Sequence, residues 1–364
     1  MALIPLDLPA GVYRNGTEFQ AQGRWRDSNL VRWFENTLRP IGGWRTRSDT
    51  ASAGQIRGLH GWLENGGDSW IAAGSYNKLY VYNAGGTQFD ITPAGLTAGN
   101  EDAIQSSGYG SSYYGKEAYG VERQQLSAVV PATTWALDSF GQNLVACSSK
   151  DGKVYEWTLN TSTLPTAITN APVNNRSILV TEERFLMCLG AGGNPRLVQW
   201  SDRENNTVWT PLATNEAGSL ELQTNGVIEC GVRVQNQALI LTNIDAHVAT
   251  YSGPPYVYGI ERVGTACGIV SNNAIGVVDK GAMWMGNRSF FYYSGGTVAE
   301  VDCEVADYVF SDINHGQISK VAAVTNANFG EVWWFYPSSS SNENNRYVSY
   351  NYLNNTWAIG QISR

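Results

Sequence analysis

Residues 330–360 read GEVWWFYPSSSSNENNRYVSYNYLNNTWAIG. The run 331–336 is aromatic and β-branched, which suits a pleated, half-buried surface. It stops at Pro337, which has no N–H to give to a ladder. The Ser/Asn tract that follows carries no apolar periodicity and reads as a turn. Residues 346–351 are strand-like again, Asn354 and Asn355 make a second turn, and 356–359 is a third short strand. Towards the N-terminus, 319–324 supplies a fourth strand and 326–330 the turn after it. This alternation predicts a four-stranded antiparallel meander.

Other copies of the module fill most of the chain. Each has an inner strand, a turn, an apolar strand, a Gly/Asn turn and a strand ending on aromatic residues. They fall at 55–62, 70–73 and 78–82; at 134–138, 143–147 and 153–157; and at 177–181, 184–189 and 196–200. Two more fall at 229–234, 238–242 and 247–251, and at 268–278, 282–285 and 289–293. Weaker fourth strands are visible at 88–92, 207–211, 257–263 and 297–303. The echo of Asn205-Asn206-Thr207-Val208-Trp209 in Asn354-Asn355-Thr356-Trp357 supports the alignment. Middle-strand anchors at Ile71, Leu144, Phe185, Leu239, Met283 and Val332 recur, after one longer interval, near the roughly forty-odd residues of a propeller blade. The expectation is an all-β, six-bladed β-propeller with four-stranded antiparallel blades at 55–93, 134–170, 177–212, 227–263, 268–305 and 318–361.

Two segments stand outside the repeat. Residues 1–54 open with a proline-punctuated arm, 1–22, and continue into NLVRWFENTLRPIGGW, 29–44, a hairpin turning at Glu35 and Asn36. That hairpin either adds an outer strand to the last blade, hiding its edge and closing the ring, or packs beneath the first blade. Residues 95–131 form one long loop insertion, rich in Gly, Ser and Tyr and too poor in aliphatics to bury a core. Tyr109, Tyr113, Tyr114 and Tyr119 lie in it between small residues, the composition of a partner-contacting loop.

Composition bounds the function. Aromatics at 12%, charged residues at 15% and 39 glycines suit a strand-rich chain with many tight turns. No apolar run reaches the roughly eighteen residues of a spanning helix. Residues 1–11 lack the basic and long apolar regions of a secretion signal, so the expected compartment of synthesis is a cytosol. Cys147, Cys188, Cys230, Cys267 and Cys303 recur at blade spacing with no Cys-x-x-Cys pair, and read as buried free thiols at equivalent positions. Net charge is −8, yet residues 1–60 hold eight arginines against five acids, so the body is more acidic than the total. Such a body does not grip nucleic-acid phosphates, which need Lys/Arg neutralisation.

The search for reactive centres returns little. His60, His247 and His315 fall in different blades with no nucleophile motif beside them. The stretch from Gly190 to Pro195 lacks the third glycine and following helix of a dinucleotide loop and reads as a hairpin turn. Ser149-Lys150-Asp151-Gly152 approaches the start of a sialidase Asp-box but lacks its Thr-Trp ending and occurs once. The carboxylates of Glu182 and Glu183, and of Asp202 and Glu204, sit at hairpin ends without an acid/base partner. No enzyme, metal site or cofactor is expected.

Three features together resemble the β-propeller nozzle proteins of short-tailed bacteriophages, also called tail tube or packaged-DNA-stabilisation proteins. They are Leu30-Val31-Arg32-Trp33 followed by Arg39-Pro40, Gly42-Gly43-Trp44; the late aromatic strand 332–336; and the outer strand begun by Asn354-Asn355-Thr356-Trp357. The resemblance spans nearly the whole chain as a pattern of strands, its specific residues lying at the two ends. It implies a homohexamer, a ring below the portal and its connector. That ring extends the conduit for double-stranded DNA, retains the genome, abuts a plug or needle, and supports fibres or spikes. It also implies a virion location. On that reading Arg24, Arg26, Arg32, Arg39 and Arg45 are candidates for docking acidic connector surfaces. The rival reading is a carbohydrate-binding or glycosidase-like propeller, with Trp62, Trp157, Trp200 and Trp284 as sugar-stacking candidates.

Overall fold

The computed structural model describes residues 8–48, 50–104 and 129–362. Strands β1 (Val31–Phe34) and β2 (Thr37–Pro40) form an antiparallel hairpin that is a sheet of its own. Glu35 and Asn36, at φ 50° and 57°, make the left-handed two-residue turn whose twist matches that of the paired strands.

Six four-stranded antiparallel sheets follow, each built from consecutive strands. Blade 1 is β3 (Gly58–Leu63), β4 (Ser69–Gly74), β5 (Leu79–Tyr82) and β6 (Gln88–Asp90). Blade 2 is β7 (Trp135–Phe140), β8 (Asn143–Ser148), β9 (Val154–Trp157) and β10 (Thr166–Ala167). Blade 3 is β11 (Ser177–Val180), β12 (Leu186–Leu189), β13 (Leu197–Trp200) and β14 (Gly218–Glu221). Blade 4 is β15 (Ile228–Val234), β16 (Gln237–Thr242), β17 (Ala246–Gly253) and β18 (Val257–Gly264). Blade 5 is β19 (Ile275–Val278), β20 (Gly281–Met285), β21 (Phe290–Ser294) and β22 (Thr297–Val301). Blade 6 is β23 (Ala322–Asn326), β24 (Glu331–Pro337), β25 (Asn344–Asn351) and β26 (Thr356–Gln361). The six-bladed propeller read from the sequence is therefore the fold. Among the described residues no helix is long and apolar enough to cross a membrane.

Some boundaries differ, for local reasons. The outer strand of blade 3 is not 207–211. Asn205 turns that stretch back on itself by accepting from Thr207 N and Oγ1, and Pro211 follows without an N–H, so the ladder waits until Gly218. The Asn-Asn-Thr echo is thus a likeness of letters, since in blade 6 the same residues feed β26 directly. The inner strand of blade 5 begins at Ile275 rather than 268. That of blade 6 begins at Ala322, because Ser319 and Lys320 are held in a 3₁₀ turn (His315–Lys320) capped by the Asn314 side chain. A short helix, α1 (Ala306–Asp312), precedes that turn. The cysteines are all free and buried, but not at one repeated position: Cys147 and Cys188 lie on the second strands of blades 2 and 3, Cys230 on the inner strand of blade 4, and Cys267 and Cys303 just after the outer strands of blades 4 and 5.

The core lies in the wedges between neighbouring sheets, since each sheet has two faces to cover. Shared apolar clusters join blades 1 and 2, 2 and 3, 3 and 4, and 4 through 6. Trp135 shows how a wedge is cut. Gly58 and Gly74 face each other across β3 and β4, and a Cβ at either would lie 2.8 Å or 2.3 Å from Trp135 atoms. The pair leaves a slot for the indole, whose N–H reaches the Ser75 carbonyl at 2.6 Å.

The hairpin takes neither of the two places expected of it. It adds no ladder strand to blade 6, whose outermost strand is the C-terminal β26, and it packs on Phe329 and Glu331 of that blade rather than beneath blade 1. Instead the arm and hairpin clamp blade 6. Val12 N donates to the Trp357 carbonyl at 2.8 Å, Gln361 N donates to Asn29, and Ser28 Oγ bonds both Ile359 N and O. The free edge of β26 is covered in this way, which is how a protein keeps an edge strand from pairing with another chain.

Candidate functional site: the clamped blade and the axial cavity

The five arginines singled out in the sequence divide by burial. Arg32, on β1, is buried beneath the hairpin, 3.2 Å from Glu331 Oε1 and over the Phe329 ring at 3.7 Å. Trp333 Nε1 donates to the other oxygen of Glu331 at 2.9 Å. Burial pushes the Glu331 carboxyl up, against the pull of Trp333 and Arg32. A guanidinium so enclosed is a fastener within the chain and offers nothing to a partner, which removes Arg32 from the docking set. Arg24 is likewise engaged, 2.5 Å from Glu304 and half-buried beside Tyr13. Arg26 is half-buried and reaches the Thr17 carbonyl at 3.5 Å. Arg39 is exposed, in a loose pair with Glu35 at 3.7 Å and beside Phe34. Arg45 is exposed, next to Trp44 at 57% exposure. Tyr109, Tyr113, Tyr114 and Tyr119 lie outside the described residues. The insertion's base is described: Ile104 and Val130 bridge in antiparallel fashion.

The inner strands of all six blades surround an axial cavity of about 410 Å³. Its lining mixes aliphatic residues, among them Leu59, Leu137, Val232, Ile275 and Val324, with polar ones that include Arg57, Asn273 and Glu343. A space of this size takes a small molecule or water. It does not pass a DNA duplex, whose major groove alone is roughly 12 Å wide.

The other residues considered for chemistry stay apart. His60 is half-buried on β3, stacked on Trp62 at 5.7 Å, and burial lowers its pKa. His247 is buried on β17, 3.2 Å from Asp245, a carboxylate that also accepts from Thr224 and Thr242 and so shapes a turn. His315 starts the 3₁₀ turn in blade 6. Asp151 of the partial Asp-box accepts from Tyr155 Oη and Thr97 N; although burial opposes it, these bonds hold its carboxyl below the ordinary value. Glu183 accepts from Tyr258 and Glu204 pairs with Arg184 at 3.7 Å. Gly190 and its neighbours make the turn from β12 to β13, as read. Trp62, Trp157, Trp200 and Trp284 are all buried, their N–H groups bonded to backbone carbonyls, so none presents a face to a sugar. Among the described residues, no three His, Cys, Asp or Glu side chains gather as a metal site.

No family model matches the chain, and no curated protein matches its sequence. Several solved structures are similar in fold. A streptogramin B lyase is 10% identical with a TM-score of 0.49, the match covering 85% of this chain and 83% of that one. A catalytically inactive virginiamycin B lyase from Staphylococcus aureus with quinupristin is 10% identical, TM-score 0.49, over 84% and 83%. YCF48 from Cyanidioschyzon merolae is 10% identical, TM-score 0.41, over 86% and 82%. These likenesses concern the fold alone, and no activity is taken from them.

Proposed function

We propose that the chain is a structural virion protein, the nozzle of a short bacteriophage tail. Six copies form a ring below the portal and connector. The ring extends the ejection channel, helps retain packaged DNA, and supports receptor-binding fibres or spikes beside a plug or needle. One observation carries the reading most: the two ends of the chain that hold the resemblance meet in space. Trp33 is buried in the cluster that includes Trp357, and the Arg32 guanidinium pairs with Glu331 at the head of the aromatic strand β24. The motif residues therefore act as one built unit. The narrow axis supports the same reading, because any conduit then lies between subunits rather than through one. An acidic body facing that conduit lets DNA slide, since it makes few phosphate-neutralising contacts.

The exposed Arg39 and Arg45, with the half-buried Arg26, are the connector-docking set that this leaves. The test is native mass spectrometry and negative-stain imaging of the purified protein. A closed six-membered ring is the expected result. A lone monomer that binds a glycan array would overturn it and favour the carbohydrate reading.

A further inference from the structure

The ring has one seam unlike the others. Backbone hydrogen bonds join blade 1 to 2 (Trp135 N to Arg57 O, 3.4 Å), 2 to 3 (Asn175 N to Gly152 O, 2.9 Å) and 3 to 4 (Ile228 N to Pro195 O, 2.9 Å). They also join blade 4 to 5 (Ile269 N to Thr242 O, 3.0 Å) and 5 to 6 (Ala323 N to Asn273 O, 2.7 Å). Among the described residues none joins blade 6 to blade 1, and no apolar cluster spans that seam. Leu59 on β3 and Val324 on β23, the inner strands that flank this seam, line the axial cavity and remain 68% and 52% exposed.

What holds this seam is a clasp of side chains. Lys320 has its side chain fully buried, with its Nζ on Asp102, on the Asn342 carbonyl at 2.7 Å and on Glu343 at 2.9 Å. Glu343 also accepts from Arg57 at 2.8 Å, and Arg57 reaches the Glu101 carbonyl at 3.3 Å. The Gln317 amide accepts from Ala103 N at 2.9 Å and donates to Ala103 O at 3.4 Å. Asp102 and Ala103 belong to the base of the insertion, so that base is strapped across the gap between first and last blade.

We propose that this seam is where the propeller opens, and that residues 101–104 with Lys320, Glu343 and Arg57 are its latch. Opening there severs no ladder between blades, since every blade is made of consecutive strands, and it leaves β3 and β23 free to fray from β4 and β24. It widens the axial cavity towards Leu59 and Val324. It also couples the insertion's base to the ring, so whatever pulls on that base pulls on the latch. Asp102 and Glu343 are partly exposed, with 47% and 35% of their side chains accessible, so salt weakens the clasp.

Hydrogen exchange read by mass spectrometry tests the latch on the intact chain. In the wild type, β3 and β23 amides are expected to exchange at least about tenfold faster than those of the inner strands β11 and β15, since local opening costs less than global unfolding. Lys320→Met is expected to widen that difference, and raised salt to do so more in the wild type than in the variant, which keeps only the Arg57–Glu343 pair. If Lys320→Met fails to fold, Asp102→Asn removes a half-exposed member and makes the same prediction in weaker form. Equal protection in β3, β11, β15 and β23, or a loss spread evenly over all blades in the variant, would overturn the proposal.

Discussion

A buried charge is decided by its immediate partners, and Arg32 with Glu331 is the clearest case here. Truncating Arg32→Ala leaves a buried carboxylate without its cation, which should destabilise the protein by about 3 kcal/mol in denaturant titrations near neutral pH. Burial already holds the Glu331 pKa above its ordinary 4.5, so the folded state binds this proton more tightly than the unfolded one. The contribution of this group to stability therefore falls as pH rises from about 4.5 through the folded value. The Arg32→Ala penalty should accordingly shrink as pH falls from neutral towards the ordinary carboxylate value of 4.5, a trend that denaturant titrations along that range will reveal. Gly74 sets a steric limit of the same local kind. Gly74→Ala drives a methyl into the Trp135 indole, and overpacking of this sort costs about 1–3 kcal/mol, readable as a lowered denaturation midpoint. The buried thiols follow too: burial pushes Cys147 up to about 12 and Cys267 to about 11. A thiol-specific reagent should label none of the five cysteines in the native protein and all five after unfolding.

Among elements, the arm and hairpin have the largest effect for their size. Removing residues 1–48 uncovers the outer edge of β26 and strips Val12 and Trp33 from the largest apolar cluster. The truncated protein should self-associate, a change that light scattering on a sizing column will detect. The strands themselves were legible in sequence because alternating aromatics between Gly, Asn and Pro turns carry their own period. The outer strand of blade 3 was not, since Pro211 and the Asn205 turn displace it to a stretch, GSLE, with little strand character. Arg32 illustrates the same limit at the candidate site. As one of eight arginines near the N-terminus it looked like surface charge, and only the docking of β1 against β24 buries it.

For the whole molecule, six blades enclose an axial cavity of about 410 Å³, too small for a duplex, so the nozzle proposal is tested at outer surfaces. If the nozzle reading holds, the protein should show no measurable binding to duplex DNA at physiological salt in fluorescence anisotropy, and charge reversal at Arg39 and Arg45 should reduce particle assembly while leaving the monomer's stability unchanged. Tight DNA binding by the isolated chain would contradict the proposed sliding surface. Loss of stability in the reversed variant would show those arginines to be internal fasteners like Arg32.

The amino-acid sequence by itself determined the number of blades, their antiparallel order and the burial of the cysteines, because period, turn chemistry and apolar content are local properties carried along a strand. Tertiary structure alone decided which arginines are buried and which exposed, where the hairpin clamps, and which seam is closed by charge. These depend on residues hundreds of positions apart, such as Arg57 and Glu343, meeting when the ring closes, and no local pattern records such a meeting.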